Sequence, residues 1–245
     1  MHKTDTVILV GRMGPIITMD RIRMDKSGLS KCWDWEAVKD IERWNEPSEE
    51  GHYYANVWSR NRNGSVLDLG CGLGRHSILF ASHGLKVTAF DSSEYAVDEL
   101  RKRASELDLD IECDVGDMHS LPYDDGSFDH VFAYLSISHT DSDGIRKVIS
   151  EIGRVLVPNG TVFLTLCSKD TWSFREAELP AIDACTRVRL DGPEKGIPHV
   201  YVDVNDIKEL FSEFELIRVR HIDDCLVEGR WQNSKHYHIE AMRTV

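Results

Sequence analysis

The sequence predicts an α/β fold of the Rossmann-like type, with a mostly parallel seven-stranded sheet and helices on both faces. Three observations predict it. Apolar β-rich runs alternate with helical patterns from residue 65 to residue 166, which is the rhythm of βαβ units. Closely spaced glycines (Gly70, Gly72, Gly74) follow the first of these runs, as in a tight turn from a strand into a helix. Residues 236–242 alternate polar and apolar side chains, which is typical of an antiparallel last strand.

The predicted elements follow in order along the chain. The strands are placed at 66–69, 86–90, 110–115, 128–134, 161–166, 215–222 and 236–242. The helices are placed at 75–83, 93–107, 141–156 and 204–214. Gly84 suits a helix C-cap, and Pro158-Asn159-Gly160 suits a turn before the fifth strand, because Asn tolerates a positive φ angle.

The rest of the chain predicts one domain with additions. Residues 1–31 carry little pattern and are predicted to be an N-terminal extension to a domain at 32–245. The aromatic stretch 32–60 predicts two helices that form an N-terminal cap, whose tryptophans we expect to pack the helices onto the sheet. Residues 168–202 contain three prolines and interrupt the alternation. A long excursion in a compact fold is usually functional, so a lid or substrate-side insertion is expected there.

Composition excludes several classes of partner. The chain has 245 residues and a net charge of −13, with no run of Lys and Arg, which argues against nucleic-acid binding. No apolar run reaches membrane-spanning length, so no membrane association is expected. The six cysteines lack close-set pairs, which favours reduced thiols in a cytoplasmic protein. The oligomeric state is left open, with a homodimer among the options.

The glycine cluster has an acidic residue on each side of it. Asp68 stands two positions before Gly70, where a carboxylate suits a ligand that carries an ammonium group. Asp91 ends the next strand twenty-three positions after Asp68, and a carboxylate there can accept hydrogen bonds from a ribose diol. The dinucleotide pattern G-x-G-x-x-G fails, because Arg75 occupies the place of its third glycine. The pattern therefore favours a ligand with a ribose and an ammonium group over the dinucleotide of a Rossmann oxidoreductase.

Five segments together resemble one protein family, the class I (Rossmann-like) S-adenosylmethionine (SAM) dependent methyltransferases that act on small molecules. The segments are 66–75, 87–93, Gly116-Asp117-Met118, 121–129 and 152–160. The resemblance covers roughly residues 33–166 in the family's order. It implies an enzyme that binds SAM, transfers the sulfonium methyl to a small-molecule acceptor by in-line displacement, and releases S-adenosylhomocysteine (SAH).

The resemblance also implies roles for particular positions. Asp68 and the glycine turn take the amino-acid end of the cofactor, Asp91 takes the ribose diol, and Asp117 and Met118 take the adenine. The full predicted cofactor set is Asp68, Gly70, Gly72, Gly74, Arg75, Asp91, Ser92, Asp117, Met118 and Tyr134. An arginine at a helix start opposes the helix dipole, so we expect Arg75 to face Asp68, the cofactor carboxylate or solvent.

The predicted substrate pocket is less sharply defined. Its candidate residues are Tyr53, Tyr54, His139, His199, Tyr201 and Trp231. His139 suits a base or a hydrogen-bond donor to the acceptor, and equally a residue that only shapes the cofactor pocket. No catalytic residue is assigned, because positioning contributes much of the rate when the methyl group is already activated.

Three alternatives stay open. The chain could be a SAM-binding module without turnover, acting as a sensor or an inactive partner subunit. It could act on a soft acceptor such as a thiol or a metalloid, given Cys71, Cys167 and Cys225. Histidines near the C-terminal end invite a metal site, but their spacing is common in edge strands, and no metal is expected.

Overall fold

The computed structural model describes residues 32–60, 64–227 and 229–244. The predicted N-terminal extension, residues 1–31, lies outside the described residues. The strands are β1 Ser65–Leu69, β2 Lys86–Asp91, β3 Ile111–Val115, β4 Phe128–Ala133, β5 Leu156–Ser168, β6 Thr186–Val188, β7 Pro198–Val202, β8 Phe214–Asp224 and β9 Ser234–Arg243. The helices are α1 Trp35–Val38, α2 Glu49–Trp58, α3 Arg75–Ser82, α4 Glu94–Glu106, α5 Ser142–Val155, α6 Trp172–Arg175 and α7 Val204–Leu210, with 3₁₀ turns at Glu42–Trp44 and Gly192–Glu194.

The sheet has the predicted α/β topology. Strands β3, β2, β1, β4 and β5 lie side by side and run parallel. Strand β9 runs antiparallel between β5 and β8. The predicted antiparallel last strand, inserted between its neighbours, is therefore confirmed. Across the described part of the chain, no helix is both long enough and apolar enough to cross a membrane.

Within the described residues the sheet contains nine strands, so the predicted count of seven omits two. Both additional strands, β6 and β7, come from the excursion at 168–202 and pair antiparallel. Cys167 of β5 pairs with Tyr201 of β7 and with His236 of β9. Strand β7 therefore lies on the opposite edge of β5 from β9, beyond the point where β4 ends. Strand β6 has three residues and β7 begins at Pro198, which hides both from a pattern search.

Both faces of the sheet are covered, which explains its nearly continuous apolar strands. Leu67 points to one face, where it packs in a cluster with Ile152 of α5 and Ile207 of α7. Its neighbour Val66 points to the other face and packs with Phe80 of α3 and with α2. Because successive strand residues alternate between faces, β1 contributes to the core on both sides.

The helix ends follow from local chemistry. The Ser93 side chain caps α4 by accepting a hydrogen bond from the Ala96 amide. Helix α7 ends at Leu210 rather than at the predicted residue 214, because Phe214 already begins β8. Asn159 adopts the expected positive φ of 63°, but it lies within β5, which begins directly after α5.

Two glycines with the same φ angle allow the stability cost of backbone strain to be distinguished from the cost of steric overlap. Gly74 and Gly84 both have φ near +80°, but a Cβ at Gly74 would overlap the Leu100 side chain, whereas a Cβ at Gly84 would contact nothing. We predict that Gly84→Ala lowers the free energy of unfolding by about 1 kcal/mol. Gly74→Ala should cost about 1–3 kcal/mol more, because Leu100 must move. Urea unfolding of both variants without ligand checks this, and equal losses would contradict the crowding at Gly74.

Candidate functional site

The glycine turn after β1 is attached to the end of β2. The amides of Gly70 and Cys71 donate to the Phe90 carbonyl, at 2.7 and 3.1 Å. One oxygen of the Asp91 carboxylate accepts from the Gly72 amide at 2.9 Å, and the other accepts from the Ser93 amide at 2.9 Å. This arrangement opens a crevice at the carboxyl ends of β1 and β4, where the strand order reverses and where ligands bind in open α/β sheets.

A small residue is required in the turn because other chain segments approach it closely. Gly72 has φ +53°, and a Cβ there would overlap the ring of Trp35 in the cap. The Ser136 hydroxyl donates to the Leu69 carbonyl at 2.7 Å, which holds the loop after β4 against the turn. The turn therefore forms the floor of the crevice, with the cap on one side and the loop after β4 on the other.

A cavity of about 530 Å³ lies above this floor. Most of the predicted cofactor residues line its wall, namely Gly70, Arg75, Asp91, Ser92, Asp117, Met118 and Tyr134. The other three, Asp68, Gly72 and Gly74, lie outside the wall. The structure thus gathers most of the predicted set around one space, although their roles toward a cofactor stay predictions.

Asp68 lies in the protein interior, close to the turn. Its side chain is buried, and its Oδ2 accepts a hydrogen bond from the Ser77 hydroxyl at 2.6 Å. Burial raises the pKa of Asp68 to about 7, against the opposing effects of Ser77 and of the positive charge on Arg75. A carboxyl group with this pKa changes its charge near neutral pH.

The first residues of α3 hold the aromatic cap. Arg75 donates to the backbone carbonyls of Arg43 and Glu46, and its guanidinium lies over the rings of Trp44 and Tyr134, at 5.6 Å from each centroid. The structure therefore gives Arg75 carbonyl and aromatic partners in addition to the charge of Asp68 nearby. These contacts between the helix start and the cap are not predicted by the sequence pattern.

A neighbouring histidine anchors the second helix of the cap. The Nε2 atom of His76, which is buried, accepts a hydrogen bond from the Ser48 amide at 3.1 Å. The Ser48 side chain in turn caps α2 by accepting from the Gly51 amide. A Cβ on Gly51 would approach the His76 ring closely, so this glycine lets α2 lie against α3.

The far end of the cavity contains a hydrogen-bonded chain. The Asp117 carboxylate accepts from the backbone amide of His119 at 2.9 Å and from its Nδ1 at 2.5 Å. Because Nδ1 carries the proton, Nε2 accepts from the Thr140 hydroxyl at 2.8 Å. His119 also lines the cavity and was missed by the sequence analysis; its position two residues after Asp117 was the available signal.

The six predicted substrate residues are scattered. Only His139 lines the cavity. Tyr54 packs in the core beside Phe163, whereas Tyr53 is half exposed and faces Arg218.

The other three come from the C-terminal part of the chain. His199 is buried, with its ring 4.7 Å from that of His139. Tyr201 is buried, and its hydroxyl lies 3.1 Å from that of Ser173. Trp231 is 83% exposed. A direct role of these residues toward a substrate stays a prediction.

The four tryptophans of the stretch 32–60 divide into two groups. Trp58 packs in the core as expected, but Trp33, Trp35 and Trp44 line the cavity. Their rings contact one another, with centroids 4.6 to 6.3 Å apart. Trp33 and Trp35 are two residues apart, so they would not lie on the same face of a helix. This spacing indicated that the two rings do not both pack a helix onto the sheet.

The cysteines considered for a soft acceptor do not form a common ligand group within residues 32–60, 64–227 and 229–244. Cys71 is buried in the glycine turn, and Cys225 is exposed. Burial raises the pKa of Cys71 and also raises that of Cys167 to about 11, which keeps both thiols protonated at neutral pH.

Comparison with known proteins agrees with this geometry. Residues 66–160 match the model of a family described as a methyltransferase domain. The malonyl-[acyl-carrier protein] O-methyltransferase of Salmonella typhimurium is 32% identical over 136 residues, which are 55% of this chain and 51% of that protein. The chain spans about half the length of the first curated relatives it matches.

Solved structures share the fold. A SAM-dependent methyltransferase structure from Methanosarcina mazei superposes with a TM-score of 0.65 at 22% identity and covers 82% of this chain and 99% of that chain. The 1,6-didemethyltoxoflavin-N1-methyltransferase of Burkholderia thailandensis, with bound substrate and SAH, superposes with a TM-score of 0.61 at 16% identity, over 86% of this chain and 84% of that one. Residues 66–160 therefore resemble a methyltransferase domain, and the chain shares its fold with a solved SAM-dependent methyltransferase.

The raised pKa of Asp68 makes stability depend on pH. The folded-state pKa of about 7 lies above the ordinary value of 3.8, so the folded state holds this proton more tightly and stability falls as the pH rises from about 4 to 7. We predict that the free energy of unfolding falls between pH 5 and pH 8 by about 2–3 kcal/mol less in Asp68→Asn than in the wild type.

Urea unfolding at the two pH values measures this. Asp98→Asn, which changes an exposed carboxylate on α4, is the control and should keep the wild-type pH dependence. An Asp68→Asn variant with the wild-type pH dependence would show that Asp68 is already ionised at pH 5.

Proposed function

We propose that the protein is an enzyme that binds SAM in the cavity above the glycine turn and transfers its methyl group to a small-molecule acceptor. The observation that carries this proposal is the Asp91 carboxylate, which is buried at the cavity wall and ties the turn to the end of β2. The bound cofactor would supply an activated sulfonium methyl group.

The residues around the cavity fit SAM. The Asp91 carboxylate accepts the amides of Gly72 and Ser93, and because an ionised carboxylate offers about four lone-pair sites, it can also accept ribose hydroxyls. Asp117 and Met118 lie along the same wall, where a carboxylate oxygen can accept from an adenine amine and a thioether can contact the ring. A cavity of about 530 Å³ is within the range of small-molecule sites, roughly 300–1,000 Å³.

The Asp68 carboxylate and Arg75 suit the charged amino-acid end. Ionised Asp68 favours an ammonium group close to the turn, and the Arg75 guanidinium at the cavity wall favours a carboxylate. Because burial raises the pKa of Asp68 to about 7, a nearby ammonium group stabilises the ionised form, and cofactor affinity should weaken as the pH falls below 7.

The lid at residues 168–202 belongs to this proposal. The Asp34 amide in the cap donates to the Pro193 carbonyl in the excursion at 3.2 Å, so the two segments are in contact. Ile197 of the excursion and Trp33 of the cap both line the cavity beside His139. These apolar side chains would keep water from the acceptor, which strengthens electrostatic interactions at the reacting atoms.

The acceptor is proposed only as a class. A methyltransferase of Burkholderia thailandensis that shares the fold has the small molecule 1,6-didemethyltoxoflavin bound, which supports an acceptor of similar size here. We also propose a cytoplasmic location, supported by the six cysteines, all in the described residues, none of which forms a disulfide. A screen of acceptor classes that measures SAH release tests turnover and separates the enzyme from a binding module.

Replacement of Asp91 tests the cofactor assignment. We predict that Asp91→Asn weakens SAH binding by about 10- to 150-fold, equivalent to about 1.5–3 kcal/mol, because a charged acceptor for the ribose diol is lost. Isothermal titration calorimetry with SAH at pH 8 measures the change.

Asp129→Asn is the matched control. The Asp129 carboxylate also accepts from a backbone amide, that of Ser65 at 2.8 Å, but at the opposite end of β1. Its replacement should leave SAH affinity unchanged. Equal SAH affinity in the wild type and in Asp91→Asn would show that Asp91 does not bind the cofactor.

A further inference from the structure

Three side chains that could ligate a metal converge beside the cavity. His139 Nε2 lies 3.8 Å from Glu194 Oε1, and His199 Nε2 lies 3.3 Å from the same oxygen. One ligand atom from each of the three residues lies within 4.8 Å of the others. In the part of the chain that the structure describes, this is the one group of three or more His, Cys, Asp and Glu side chains with such geometry.

A buried ring nitrogen of His199 faces the Glu194 carboxylate. The other ring nitrogen, Nδ1, lies 3.2 Å from the Ile197 carbonyl, which can only accept, so Nδ1 carries a proton. Nε2 is buried, has no hydrogen-bond partner and faces the Glu194 carboxylate. A buried imidazole nitrogen that faces a carboxylate oxygen needs either a proton or a metal ion between the two atoms.

The distances fit a metal ion in that position. Two ligand atoms bound to Zn²⁺ at about 2.1 Å with tetrahedral angles lie about 3.4 Å apart. The observed separations of 3.3 and 3.8 Å bracket this value. Two imidazole nitrogens and one carboxylate oxygen favour a first-row transition metal, whereas Mg²⁺ and Ca²⁺ prefer sites built from oxygen alone.

The surrounding groups orient the ligands as they do in known metal sites. A metal-bound histidine usually donates its other ring N–H to a carbonyl or a carboxylate, as His199 does to Ile197. The Nε atom of Arg189 lies 3.2 Å from Oε2 of Glu194 and forms an ion pair with it, while Oε1 faces the two histidines. Glu194 therefore presents one oxygen to both histidines.

We propose that His139, Glu194 and His199 bind one divalent transition-metal ion, of which Zn²⁺ is the simplest example. His139 lines the cavity, so the coordination positions left open by three protein ligands face the space for the acceptor. There the ion would hold a hydroxyl or carboxylate oxygen of the acceptor, a role that rests on the proposed methyl transfer. Metal binding itself does not depend on that function.

The experiment uses the full chain with its purification tag removed and its metal stripped by a chelator. Zn²⁺ binding is measured by calorimetry and Co²⁺ binding by its visible absorption, both without SAM. We expect one ion per chain. Glu194→Gln and His139→Asn should each weaken binding at least about 100-fold, since even partners of metal ligands contribute roughly 10- to 100-fold.

The control is His238→Gln. His238 Nδ1 lies 3.0 Å from Glu50 Oε1, so it forms a similar histidine–carboxylate pair without a second histidine ligand, and its replacement should leave metal binding unchanged. Failure of the wild type to bind one ion, or equal affinity in the wild type and both ligand variants, would overturn the proposal in favour of a direct histidine–glutamate ion pair. SAH affinity, measured on the same stripped samples, confirms that the variants fold and tests the proposed function separately.

Discussion

The candidate site depends on one buried carboxylate. Asp91 accepts the amides of Gly72 and Ser93, and so joins the turn after β1 to the residues that follow β2. A buried amide without a partner costs about 1–3 kcal/mol, so the turn and the start of α4 both depend on this side chain. Burial raises the pKa of Asp91, whereas the backbone amides oppose that effect and favour the charged form. The same hydrogen bonds leave a charged acceptor at the cavity wall.

The cavity is closed by the residues that begin α3. Arg75 holds the aromatic cap by its backbone carbonyls, and His76 holds the helix that follows by the Ser48 amide. The cap in turn contacts the excursion through Asp34 and Pro193. The glycine turn thus leads into a helix whose first two side chains position the cover of the site. Adjacent residues of one helix therefore connect the glycine turn to both parts of the cap.

Local patterns predicted the strands, the glycine turn and the antiparallel last strand, because each rests on residues that are close in sequence. Strand β6 was missed because it has three residues, and β7 because it begins at Pro198 and pairs with the distant end of β5. The grouping of His139, Glu194 and His199 depends on chain segments some sixty residues apart, and no local spacing records it. The predicted absence of a metal weighed the C-terminal histidines, His199 among them, but not His139 or Glu194, and stays untested.

The central claim is that the cavity between the glycine turn and the aromatic cap binds SAM. A crystal structure of the protein with SAH tests it most directly. We predict that both ribose hydroxyls lie within hydrogen-bond distance of the Asp91 carboxylate, with the adenine beside Asp117 and Met118 and the amino-acid end at the turn. SAH bound at another surface, or in this cavity with its ribose remote from Asp91, would contradict the account.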